Sequence, residues 1–107
     1  MSEVKIPFSP EMKKAALEGM KIATTRGERK GFRGDTFRLD GVKFRILDVH
    51  LIHLENVKNL LYTIEGFTSP REFEDTWRKL HGGQFSTDKV YYIHFFTRIP
   101  EVANHGD

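Results

Sequence analysis

The chain of 107 residues contains no cysteine, which excludes disulfide frameworks, thiolate nucleophiles and cysteine-based zinc sites. It also lacks any apolar run near the roughly 20 residues that a membrane-spanning helix requires. Its first residues, Met1-Ser2-Glu3-Val4-Lys5, have neither the basic start nor the apolar stretch of a secretory signal. A cytoplasmic location without membrane contact is therefore expected. Repeats, low-complexity segments and linkers are missing, as are a Gly-x-Ser-x-Gly elbow and a phosphate loop ending in Gly-Lys-Ser/Thr. The five histidines are scattered, and the spacing of His50 and His53 puts them on opposite faces of a strand. No metal and no cofactor is expected.

What the chain does have is the composition of an ordinary globular domain, 38% hydrophobic and 30% charged. One domain over residues 1–107 is expected, monomeric and frayed after about residue 100. The formal net charge is only +2, yet Lys21 to Arg45 holds eight Lys or Arg against three acids. That asymmetry points to one positive face and an anionic partner.

Local signals place the elements. Ser9-Pro10-Glu11 caps and opens a helix whose packing stripe is Met12, Ala15, Ala16 and Met20. Asp40-Gly41 is a two-residue hairpin turn joining Thr36–Leu39 to Val42–Ile46, with Phe37, Leu39, Val42, Phe44 and Ile46 on one face. The alternation then changes phase, which predicts a bulge near Leu47 or Asp48. Val57, Leu60, Leu61 and Ile64 predict a helix ending at Gly66, with Glu65 in its last turn. Ser69 and Glu72 form a capping box for another helix, with Phe73, Thr76, Trp77 and Leu80 inward. Lys89 to Phe96 is apolar on both faces and should be a central strand. The expected core is Phe37, Leu39, Phe44, Ile46, Leu60, Ile64, Phe73, Trp77, Ile93 and Phe95, with His94 a satisfied, half-buried imidazole. The fold class is α+β, a small, partly open β-barrel with about three short helices.

The chemistry concentrates between Gly19 and Asp35, where Lys21, Thr24 and Arg26 precede a glycine-punctuated loop carrying Arg29, Lys30, Phe32 and Arg33. Cations, a hydroxyl and accessible backbone suit a phosphate-bearing ligand, and Phe32 adds a ring for stacking on a base. Phe32 could equally fold back as a lid, and Tyr91 and Tyr92 read as core unless the last strand faces a cleft. A lysine beside a threonine and a carboxylate is also a nucleophile-and-base set, with Lys21, Thr24 and Glu65 as its members. Lys21 and Thr24 converge only if the chain bends after Gly19.

Four segments in order resemble the ASCH family. They are Gly19-x-Lys21-x-x-Thr24-x-Arg26, Gly34-Asp35, Glu65-Gly66-Phe67 with Ser69-x-x-x-Phe73-x-x-x-Trp77, and Val90-Tyr91-x-Ile93-x-Phe95. The resemblance implies a PUA-like barrel whose cleft is lined by the Lys-Thr-Arg segment, and a role in RNA metabolism or translation. On that reading Lys21, Thr24, Arg26, Arg29, Lys30, Phe32 and Arg33 bind RNA or a modified nucleoside. A small branch of the family implies an alternative, an amidohydrolase deacetylating N4-acetylcytidine with Lys21, Thr24 and Glu65 as catalytic set. The basic loop departs from the more acidic one of that branch, which favours a polyanion.

Overall fold

The computed structural model describes residues 1–100, so the tail expected to fray lies outside them. The elements are α1 (Pro10–Leu17), β1 (Ala23–Arg26), β2 (Thr36–Leu39), β3 (Val42–His53), α2 (Leu54–Leu60), α3 (Pro70–Leu80) and β4 (Val90–Arg98). The four strands form one antiparallel sheet in the order β1-β4-β3-β2, curled into a half-barrel. The α+β, partly open architecture expected from the sequence is what forms, and β4 is interior to the sheet.

Local chemistry explains the boundaries. The Ser9 hydroxyl accepts from Met12 N with Pro10 at the first position of α1, and the Ser69 hydroxyl accepts from Glu72 N at the start of α3. The Glu72 carboxylate reaches past the cap to Thr68 N at 2.9 Å. Asp40 and Gly41 both take positive φ, +50° and +81°, so the hairpin turn has the hand that matches strand twist. The bulge falls between Ile46 and Asp48, and it lets the long β3 curl. At the outer edge of β2, Val4 N donates to Thr36 O and Thr36 N to Ser2 O, so the N-terminal segment lies along that strand.

Two apolar clusters fill the two sides of the sheet. Phe37, Phe44, Ile46 and Phe96 pack with Ile6, Ala16 and Leu39 inside the curl, where Phe37, Phe44 and Phe96 stack or meet edge to face at 5.3–5.6 Å. On the other side Leu54, Val57, Phe67, Phe73, Trp77 and Tyr91 join α2 and α3 to the sheet.

Several core expectations are corrected. Leu60 is exposed because α2 starts at Leu54, and its inward positions are Leu54, Val57 and Leu61, leaving Leu60 rotated toward solvent. Met20, past the end of α1, and Leu80, at the end of α3, are exposed as well. Ile64 is half-buried in the turn that follows α2. Phe95 is half-buried, and Phe96 takes the core place because it pairs with Ile46 on the inner face. His94 is fully rather than half buried.

Candidate functional site

The feature that makes a site is the outer edge of β1, the end strand of the sheet. Thr24, Thr25 and Arg26 all line a cavity of about 400 Å³ together with Lys21 and Glu65. Successive strand side chains alternate between faces, so a cavity touching three in a row lies alongside the strand rather than above it. Phe8 and Met12 from the N-terminal side and Phe67, Phe73 and Trp77 from the helical side complete its apolar walls.

Lys21 and Glu65 form its buried ionic element. Lys21 Nζ donates to Glu65 Oε1 at 2.8 Å and to the Glu65 carbonyl at 2.9 Å. Both side chains are nearly inaccessible, 3% and 4% exposed. Burial pushes the Lys21 ammonium below the usual lysine range, and the Glu65 charge works against that shift. Gly66 makes the approach possible: its φ is +98°, and a Cβ there would sit 3.2 Å from Lys21 Cβ. Glu65 is thus held by a turn after α2, not by the last turn of that helix as the apolar spacing suggested. The spacing signal failed because Ile64 belongs to the turn and not to a helical stripe.

The chain does bend after Gly19, and Lys21, Thr24 and Glu65 reach one cavity. Their bonding differs from a nucleophile-and-base set. Glu65 Oε2 accepts from the Thr25 hydroxyl at 2.6 Å, while the Thr24 hydroxyl accepts from Arg26 Nε at 3.0 Å. Neither Lys21 nor Glu65 is hydrogen-bonded to Thr24. Thr25 was not singled out in the sequence. Its signal was the alternation itself, which puts Thr24 and Thr25 on opposite sides of β1.

Arg26, half-buried, lines the cavity with its guanidinium over the Phe8 ring, 5.1 Å from the centroid. It makes no ion pair among the described residues. Beyond it the chain enters the basic loop. Arg29, Phe32 and Arg33 are exposed and Lys30 is half-buried, and none of the four lines the cavity. The loop's glycines serve packing at least as much as ligand access. Gly31 is buried, and a Cβ there would lie 2.8 Å from Ile46 Cδ1.

His94 ties the loop to β1. Its Nε2 accepts from Lys30 N at 2.9 Å and its Nδ1 lies 3.1 Å from the Thr24 carbonyl. A backbone N–H can only donate and a carbonyl only accept, so the ring is neutral with its proton on Nδ1. Burial lowers the His94 pKa, and Arg26 and Arg29 nearby lower it further. The unfolded chain therefore binds this proton more readily than the folded one. Stability should be full above the ordinary histidine value near 6.5 and fall as pH drops below it. Each unit of separation between the folded and unfolded pKa corresponds to about 1.4 kcal/mol. Thermal melts from pH 8 to pH 5 read this directly, and a melting temperature flat down to pH 5 would contradict a neutral, doubly bonded His94.

With this geometry in hand, the likeness to solved structures is clear. An ASCH domain from Lactobacillus crispatus JV V101 superimposes with a TM-score of 0.67 over 91% of this chain and 77% of that one, at 15% identity. The chain has an ASCH-type fold. Protein EF3133 from Enterococcus faecalis V583, of family DUF984, gives a TM-score of 0.58 at 19% identity over 83% of this chain and 67% of its own. The hypothetical protein PH0355 gives 0.65 at 14% identity, covering 86% of this chain and 94% of its own. No family model and no curated sequence matches the chain, so the ASCH likeness is one of fold. Among the described residues no helix is long and apolar enough to cross a membrane.

Proposed function

We propose that this protein binds RNA, seating an unpaired nucleoside in the cavity beside β1 and running the phosphate backbone past Arg26 onto Arg29, Lys30 and Arg33. The observation that carries this reading is the position of Arg26. It lines an aromatic cavity, lies free of ion pairs among the described residues, and leads straight into the basic loop. Within the cavity Lys21 and Glu65 neutralise each other, so the pocket suits an uncharged planar group while the loop suits phosphates. A volume of about 400 Å³ lies at the small end of ligand pockets and is appropriate for a single nucleoside. Unpaired bases splayed onto aromatic side chains are the usual target of sequence-selective RNA binding.

A titration of single-stranded RNA at several salt concentrations tests it. Each released phosphate contact contributes about 0.7 to the slope of log affinity against log salt for single strands. Replacing Arg29, Lys30 and Arg33 together by Ala should flatten the slope by about two units. Thr24→Ala should weaken binding with little change of slope. A wild-type protein with no salt-dependent RNA affinity would remove the reading.

Convergence of Lys21, Thr24 and Glu65 on one cavity supports a second reading, hydrolysis of N4-acetylcytidine. Against it, the Thr24 hydroxyl is bonded to Arg26 and makes no hydrogen bond to Lys21 or Glu65. Turnover of N4-acetylcytidine that vanishes in Thr24→Ala while the triple loop variant keeps it would establish this second reading in place of the first.

A further inference from the structure

We infer that the loop from Gly27 to Arg33 carries a second, preformed base-stacking site, outside the cavity, so that the ligand is an oligonucleotide and not a free nucleoside. The inference rests on the RNA-binding reading above and adds a footprint to it. Phe32 is 63% exposed, so most of its ring surface is open to a partner. The loop that displays it is nevertheless held firmly. Phe32 N donates to Asp35 Oδ2 at 2.8 Å, and Lys30 N donates to the buried His94 at 2.9 Å. Between them Gly31 packs against Ile46, Val4 and Asp35, where a Cβ would lie 2.8 Å from Ile46 Cδ1.

Asp35 is itself a fixed anchor. It is buried, and its carboxyl is held below the usual carboxylate range by the hydrogen bonds from Phe32 N and Ser2 N. A ring held out in water on a pinned loop has lost its freedom before any partner arrives, which is how a binding surface is preorganised.

What surrounds Phe32 identifies the partner. The Arg29 guanidinium lies 4.8 Å from the Phe32 centroid and 5.5 Å from that of Tyr92. Arg29 is thus bracketed by two rings, which keeps its plane in place and its charge at the surface. Aromatic faces beside arginine planes stack on bases of any sequence and neutralise the adjoining phosphate. A protein partner of the same patch would have to supply acids to Arg29, Lys30 and Arg33 at once; a nucleotide supplies the ring and the charge together. Tyr92 faces this site from β4, on the same side of the sheet as Arg26, its partner in the β1–β4 register. That shared side leads from Arg26 to the stack, and a strand leaving the cavity at Arg26 meets Phe32 with its next bases.

The test uses fluorescently labelled oligoadenylates of increasing length, starting from AMP, with the whole protein. Affinity should rise steeply once the oligomer is long enough to reach the loop. Phe32→Ala should weaken oligomer binding roughly ten-fold or more, the size of a lost base stack, with an unchanged salt slope and a much smaller loss on AMP. Phe32→Tyr should restore it. If Phe32→Ala binds oligomers like the wild type while the triple loop variant does not, the stacking site is overturned and RNA binding stands. Equal loss on AMP and oligomers would place Phe32 in the first site and overturn it too. A wild type that binds no oligomer overturns both, and sedimentation showing Phe32-dependent self-association without RNA assigns the patch to a second copy instead.

Discussion

Lys21→Met is expected to destabilise the protein by about 3–5 kcal/mol, because it leaves the Glu65 carboxylate buried without its cation. Glu65 is nearly inaccessible, and after the substitution only the Thr25 hydroxyl at 2.6 Å would remain bonded to its side chain. The pair itself is worth far less than its breakage suggests, since both ions have been taken out of water. The double variant K21M/E65Q removes both charges and keeps an acceptor for Thr25. It should recover most of the loss. Urea unfolding of the wild type, the two single variants and the double variant forms a closed cycle. A double variant as unstable as the sum of the singles would show that the two residues act independently, contrary to the 2.8 Å contact.

Trp77→Ala should cost about 3–5 kcal/mol and lower the melting temperature by roughly 15 °C or more in a domain of this size. Trp77 is 7% exposed. It meets Tyr91 edge to face at 5.2 Å, lies against Phe73, and is stacked by His81 at 4.0 Å. Its truncation therefore opens a void between α3 and β4 that the short helix cannot close. Trp77→Phe should keep much of the stability, since Phe still fills most of the void. A melt that barely moves in Trp77→Ala would mean that the ring's contacts are dispensable and that its role lies in the cavity it lines.

What could be read in advance follows from how far apart the determinants lie. The Asp40-Gly41 turn, the Ser9 and Ser69 caps and the β3 bulge are set by neighbours in sequence, and they appear where the residues put them. The Lys21–Glu65 contact spans 44 positions; the two could be set side by side as residue types, but nothing local fixes that they meet. Thr24 and Thr25 are identical side chains on adjacent positions, and which one meets Glu65 depends on the tilt of β1 against the turn after α2. The choice between Phe95 and Phe96 depended likewise on the β3–β4 register, which a one-residue slip inverts. His94 was legible as a satisfied imidazole but neither as fully buried nor as the bracket between Thr24 and the loop, because its partners are backbone groups. Backbone partners leave no trace in side-chain chemistry.

The pairing of residues 2–4 with β2 bears on solubility. A half-open sheet has two outer strands, and each is a template for a neighbour's chain. On one side the turn after α2 occupies the start of β1, with Ile64 O accepting from Ile22 N and Ala23 N. On the other, the first few residues act as a guard strip along β2. Cutting them away would bare that strand and release Asp35 from Ser2 N. Truncated protein should then self-associate by strand addition, while fusion partners are better placed away from this end.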